Sequence, residues 1–253
     1  MLADTYHKQA IAQAFGRAAA SYDRFAELQR TCGERLLDLI PPHGGTQVLD
    51  AGCGTGYFSR YWQQQGKRVT ALDLSPAMLS HASRHQAAER YVQGDIEHLP
   101  LEDGCVDISY SNLAVQWCDD LPRALAELYR VTRSEGIIAF STLAEGSLSE
   151  LSHAWTQLDG TRRVNHFLSA GAIEAACQPY RYQLRQERIT CYFPDVLTLM
   201  KSLKGIGATW LHQRRAPGLL SRSRLNGLSS VYPRRSEGYP LSYQLIYGVI
   251  YRD

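Results

Sequence analysis

Three carboxylates and three glycines in the first half of the chain have the types and spacing to hold a small cationic ligand. Asp50, Gly52, Gly54 and Gly56 occupy alternate positions in VLDAGCGTG, Val48 to Gly56. An apolar run that ends in a carboxylate and a glycine-rich turn lets backbone approach a ligand closely. The dinucleotide fingerprint G-x-G-x-x-G needs a third glycine for close helix–strand packing, and that position holds Tyr57. Asp50 is a poor neighbour for phosphates and a good one for positive charge, so the pattern favours a cationic, phosphate-free cofactor. The N-terminus of the following helix would still offer free N–H groups. Asp73 ends the next apolar run, in ALDLS, where a carboxylate accepts both hydroxyls of a ribose. A dinucleotide enzyme would place an acid there too, so Asp73 alone decides nothing. Asp95, in GDIEHLP, follows the third run and is placed to bond an adenine amino group.

These residues need a scaffold that brings the ends of several strands together. QVLDAG, RVTALDLS, RYVQGDI, CVDISYSNL and GIIAFSTL read as strands. GYFSRYWQQQ, SPAMLSHASRH and LPRALAELYRVT read as the helices between them, with Ser75 capping and Pro76 in the first turn of the second. Such alternation predicts a doubly wound, mostly parallel α/β sheet covered on both faces. In front, residues 5–40 read as helices, stopped by PPHGG. Behind, residues 145–178 look helical, RYQLRQERITCYF reads as a strand, DVLTLMKSLKGIGATWL as a helix and SYQLIYGVIYR as the last strand. The expected organisation is one domain over 1–253. It comprises an N-terminal helical lid (1–40), a cofactor-binding core (46–143), a helical insertion with a late strand (145–235) and a final strand (240–252).

Composition narrows the class. With 253 residues, 44% of them hydrophobic, the chain can bury a substantial core. No run approaches the length of a membrane span, and MLADTYHKQAIAQAF lacks a secretory pattern, so a cytoplasmic location is expected. Cys32, Cys53, Cys105, Cys118, Cys177 and Cys191 form no C-x-x-C pair and read as free thiols of a reducing compartment. His81 and His85 stand four apart without acidic or thiol partners, so no metal site is expected. Residues 1–150 carry 13 basic and 19 acidic side chains, and residues 151–253 carry 14 and 6, leaving −6 and +8. A basic second half suits an anionic partner. Without RNP-like aromatics or a zinc pattern, that partner is not expected to be nucleic acid.

Taken in order, VLDAGCGTG, ALDLS, GDIEHLP and LYRVTRSEG resemble the motifs of the seven-stranded S-adenosylmethionine-dependent methyltransferases over residues 48–143. The resemblance implies S-adenosyl-L-methionine as cofactor and S-adenosyl-L-homocysteine as its product. It places Asp50, Gly52, Gly54 and Gly56 along the methionine end and Asp73 on the ribose. Leu74 and Met78 flank the adenine, Asp95 and Ile96 read its edge, and Asn112 with Leu113 borders the sulfur. Leu74, Met78 and Ile96 fit plain core packing equally well.

The methyl acceptor is read from the rest of the chain. SNLA stands where an Asn-Pro-Pro-Tyr tip would serve an amide or base nitrogen, and no Pro-Cys nucleophile is present for ring carbons. KQAIAQAFGRAAASYDRFAELQR, LAVQWCDDL, STLAEGSLSEL and MKSLKGIGATWL resemble the malonyl-acyl carrier protein O-methyltransferases of biotin synthesis, over about residues 7–250. That resemblance implies methyl transfer to the free carboxylate of a malonyl thioester, giving the ester that primes pimeloyl synthesis. A carboxylate already ionised at neutral pH needs no general base, so no catalytic residue is assigned and positioning with desolvation carries the step. Tyr22, Phe25 and Trp117 are candidates for the aromatic lining of a dry lid, or are core. Lys201 and Lys204 either reach the carboxylate or face outward to meet an acidic acyl carrier protein. Arg181, Arg185, Arg188, Arg214, Arg215, Arg222 and Arg224 supply half of the 14 basic side chains of residues 151–253. No membrane partner is expected. A related methyltransferase acting on a free small carboxylic acid or quinone precursor shares the core motifs and is the alternative.

Overall fold

The structure is a computed structural model that describes residues 2–161, 163–208 and 221–253. The chain opens with α1 (Leu2–Ala18), α2 (Tyr22–Phe25) and α3 (Glu27–Leu37), and then alternates strand with helix. β1 (Gln47–Ala51), α4 (Tyr57–Gln64), β2 (Arg68–Asp73), α5 (Pro76–Arg84), β3 (Arg90–Gln93) and β4 (Val106–Asn112) follow. After a short 3-10 turn (Val115–Trp117) come α6 (Leu121–Val131), β5 (Thr132–Leu143), α7 (Ser149–Asp159) and α8 (Ala170–Cys177). β6 (Arg181–Phe193), α9 (Val196–Gly205), α10 (Arg222–Val231) and β7 (Tyr239–Tyr251) complete it.

The seven strands form one sheet in the order β3-β2-β1-β4-β5-β7-β6. β1 to β5 pair in parallel. β7 slots in antiparallel between β5 and β6. The mostly parallel, doubly wound expectation therefore holds. The two long strands from the second half add an antiparallel edge, and the insertion divides into α7–α8 before β6 and α9–α10 after it.

Strand periodicity explains how both faces are filled. Successive side chains point to opposite faces, so Val48, Ala71, Ala139 and Tyr247 meet Leu36, Phe58, Trp62 and Leu199 on one side. Their neighbours Leu49, Leu72, Ile138 and Ile246 meet Leu125, Leu128 and Ile173 of α6 and α8 on the other. Several helix starts are set by side-chain caps. Ser75, Asp120, Ser169, Asp195 and Ser221 each accept a hydrogen bond from the backbone N–H three residues on. α4 differs: its N-cap is Gly56, with φ +82° and no side-chain cap.

The chain leaves β1 toward β2 and β3 on one side and returns to β4 and β5 on the other. The order therefore reverses between β1 and β4. Ligands of open α/β sheets bind outside the carboxyl ends of the strands at such a switch point. Ala51, Asp73 and Asn112 end β1, β2 and β4 there.

Candidate active site

The turn after β1 is built to present surface rather than free N–H groups. The N–H groups of Gly52 and Cys53 both donate to Leu72 O (2.7 and 2.9 Å), and that of Gly56 donates to Cys53 O. Gly54 N donates to Asp73 Oδ2 at 2.9 Å. A phosphate cradle keeps such donors available; here the four of Gly52, Cys53, Gly54 and Gly56 are spent inside the protein. Gly54 has φ +54°, and a Cβ on it would stand in open space at a position lining two cavities. Gly56 behaves otherwise. It lines none of the described cavities, and a Cβ there would press on Ala82 and Ala87. The close packing that the dinucleotide pattern gives to a later glycine is thus done by Gly56 against α5.

One cavity lies over the ends of β1, β2 and β4 and gathers Gly52, Gly54, Asp73, Leu74, Met78, Asp95, Ile96 and Asn112. Asp73 is fixed by two backbone donors, Gly54 N on one oxygen and Ser75 N on the other (2.9 and 2.8 Å). Each carboxylate oxygen keeps a further lone pair for a ligand hydroxyl. Burial pushes the Asp73 carboxyl up to about 6, against those two hydrogen bonds. Met78 and Ile96 belong to the buried core and also face the cavity, so the two sequence readings coincide. Asp95 accepts from Lys8 Nζ of α1 at 3.2 Å. Lys8 also bonds Glu97. Burial alone would lower the Lys8 pKa, but Cys118, Glu97 and Asp95 together raise it. Asp95, Glu97 and Cys118 have metal-site spacing, yet the ammonium group already bonds both carboxylates.

Asp50 lines a smaller cavity next door, shared with Asp23, Gln29, Arg30, Gly52 and Gly54. Its carboxylate is 2% exposed and accepts from Ser59 Oγ at 2.6 Å. Burial, then the neighbouring Asp73, pushes it up to about 7, while the Ser59 bond opposes the shift. Asn112 is committed on both sides: Nδ2 donates to Gln29 O of α3 (2.9 Å) and Oδ1 accepts from Ser141 Oγ (2.7 Å). It ties α3 across the sheet edge. Leu113 beside it has φ +50°, a strained conformation for a leucine, held by Ser141 on its N–H.

A third cavity, mostly apolar, lies beyond a shared wall of Phe15, Tyr22, Leu113 and Trp117. Tyr22 lines all three cavities. Burial, then Asp73 and Asp23, raises its phenol pKa, so it stays neutral. Trp117 meets Phe15 edge-on at 5.2 Å. Phe25 is not in this wall; its ring fills the space beside Gly205 of α9, because Gly205 has no Cβ to exclude it. Lys201 and Lys204 are exposed, while Met200 and Leu203 of the same helix line the cavity. Of the two places open to the lysines, the structure chooses the outer face. Arg214 and Arg215 lie outside the described residues; Arg222 and Arg224 begin α10.

Sequence reasoning missed Phe15, Lys8, Arg30 and Arg163. Among the described residues lining the third cavity, Arg163 is the one cationic side chain, and no carboxylate lines it. Gln29 Oε1 and Gln116 Oε1 are buried in the same wall without hydrogen-bond partners among the described residues.

An acid-lined cavity at the switch point of a seven-stranded sheet, joined to an apolar one, fits a methyltransferase of the S-adenosylmethionine-dependent class. Residues 49–140 match the family described as Methyltransferase domain. The chain belongs to the malonyl-[acyl-carrier protein] O-methyltransferase family. It is 72% identical to that protein of Pectobacterium atrosepticum over 253 residues, covering 100% of both chains. It is 59% identical to that of Yersinia pestis over 246 residues, covering 97% of this chain and 92% of the relative. The fold resembles the YcgJ protein from Bacillus subtilis (TM-score 0.61, 18% identity, 88% of this chain and 99% of that one). It also resembles a geranyl diphosphate C-methyltransferase from Streptomyces coelicolor, solved with S-adenosyl-L-homocysteine (TM-score 0.54, 18% identity, 89% and 80%). Among the described residues no helix is long and apolar enough to cross a membrane.

Proposed function

We propose that the chain transfers a methyl group from S-adenosyl-L-methionine to the free carboxylate of a malonyl thioester carried on acyl carrier protein. The product is the methyl ester that primes pimeloyl synthesis for biotin. The observation that carries this reading is the shared wall of Phe15, Tyr22, Leu113 and Trp117, which joins an acid-lined cavity to an apolar one.

The cradle fits the cofactor. Asp73 is poised for a ribose diol, Leu74, Met78 and Ile96 offer apolar faces for a flat ring, and Asp95 accepts from an amino group. Asp50 with Arg30 suits an amino acid end that carries both charges. When bound, S-adenosylmethionine supplies a methyl group activated by its sulfonium charge. The chain's own contribution is placement and dryness. A carboxylate is ionised well below pH 7, so no base is needed. The apolar walls of the third cavity exclude water, and opposite charges that vanish together react faster where solvent cannot stabilise them separately. We place the lid in α1–α3 (within residues 1–40), fastened by Lys8 to Asp95 and by Gln29 to Asn112. The outward Lys201 and Lys204 belong with the basic face that meets an acidic carrier protein.

Mass spectrometry of malonyl carrier protein after incubation with enzyme and cofactor tests the reading. One added methyl group is expected. An unmodified carrier protein, with methylation of free acids instead, would assign the chain to small acids.

A further inference from the structure

We infer that Arg163 is the anchor for the substrate's carboxylate, and so the residue that selects a malonyl group over a neutral acyl group. The inference rests on the malonyl reading above and names the side chain that enforces it.

Arg163 follows α7, in the connection to α8, and its guanidinium stacks over Trp155 at 4.6 Å. Trp155 is itself 2% exposed, so the stack fixes the plane of the charge against the core. One edge of the fork is committed: Nη2 pairs with Asp159 Oδ2 at 2.8 Å and Nε donates to Thr161 Oγ1 at 2.9 Å. A guanidinium has five N–H donors. Nη1 and the second hydrogen of Nη2 have no partner among the described residues, and together they form the face that grips a carboxylate with two parallel bonds.

A purely structural role leaves the charge unexplained. Asp159 also pairs with Arg224 at 2.5 Å. Hydrogen bonds from Thr161, Arg224 and Arg163 hold the Asp159 carboxyl down at about 2, so it stays ionised. Two guanidinium groups therefore share one carboxylate, and one positive charge is left over. Arg224 is the more exposed of the two, and Arg163 turns its remaining donors to the wall of a cavity whose other lining is apolar or neutral. Charge facing apolar surroundings is costly unless an anion answers it. A malonyl group answers it; an acetyl group does not. The unpartnered carbonyls of Gln29 and Gln116 in the same wall suit the amide N–H groups of a pantetheine arm.

The test compares binding of malonyl-pantetheine and acetyl-pantetheine to the enzyme loaded with S-adenosylhomocysteine. Wild type should prefer the malonyl form by about tenfold to a hundredfold, the worth of a charge-assisted hydrogen bond. Arg163→Gln should bind both at the acetyl level, and Arg163→Lys should recover part of the preference, with homocysteine-cofactor affinity unchanged in each. A folded Arg163→Gln that still prefers malonyl overturns the assignment while the malonyl reading stands. A wild type without preference overturns both. If Arg163→Gln fails to fold, a crystal structure of wild type with both ligands decides. A carboxylate within hydrogen-bond distance of Arg163 supports the anchor, and one held by another donor refutes it.

Discussion

Gly205 of α9 lies flat against the ring of Phe25 in α2, so close that a methyl group on the glycine would overlap the ring. Two residues on, Gly207 takes φ +75° and approaches the Phe15 backbone. Ser21 Oγ adds a hydrogen bond to Gly205 O at 3.3 Å. The KGIGA stretch is therefore the seat on which the N-terminal helices rest. Replacing Gly205 by Ala should cost about 1–3 kcal/mol, because overpacking outweighs the gain in helix propensity. Thermal denaturation of Gly205→Ala checks this, and a raised melting temperature would contradict the contact.

Asp73 accepts from Gly54 N and Ser75 N, and so sets the shape of the first turn as well as facing the cavity. Asp73→Ala should weaken S-adenosylhomocysteine binding about a hundredfold, the loss of two bonds to a charged acceptor. Calorimetry that finds the affinity unchanged in a folded variant removes Asp73 from the binding site.

The two buried carboxylates make cofactor binding depend on pH. Asp50 and Asp73 are pushed up to about 7 and about 6 from the ordinary 3.8. The folded, empty protein then holds protons that the unfolded chain releases, so its stability falls as pH rises from about 4 toward about 7. A cationic ligand prefers the ionised pair, so its affinity should rise across the same upper window. Melting curves with and without S-adenosylmethionine, from about pH 5.5 to about pH 7.5, should show a growing ligand-induced shift. Asp50→Asn should flatten it. A shift that ignores pH in wild type would rule out this linkage.

Lys201 and Lys204 are exposed on α9, away from the cavity side of that helix. Reversing both to Glu should raise KM for malonyl carrier protein about tenfold with kcat and cofactor affinity little changed, as for charges that steer an encounter. Steady-state kinetics at two salt concentrations separates the effects. A drop in kcat alone would argue that the lysines act at the reacting group.

Much of this arrangement was legible because strongly apolar strands mark their own ends. Asp73 and Asn112 close β2 and β4 as the alternation required, and Asp95 follows β3. The orientation of α9 was left open by the sequence and is settled by packing: Val196, Leu199 and Leu203 are buried, which turns Lys201 and Lys204 outward. Phe25 and Arg163 were different cases. Phe25 is placed by the missing side chain of Gly205, a contact between segments far apart in the chain. Arg163 sits in a connection with no periodicity to read, and only the tertiary stack on Trp155 reveals its direction. The place of β7, antiparallel between β5 and β6, was not read from either strand, because it is set by pairing between segments far apart in the chain.

That insertion governs assembly order. β6 touches the sheet only through β7. Its thirteen residues are therefore synthesised with no hydrogen-bonding neighbour and must wait for residues 239–251. Until those arrive, a nascent chain exposes the raw sheet border of β5 and an unpaired β6, either open to capture by another unfinished polypeptide.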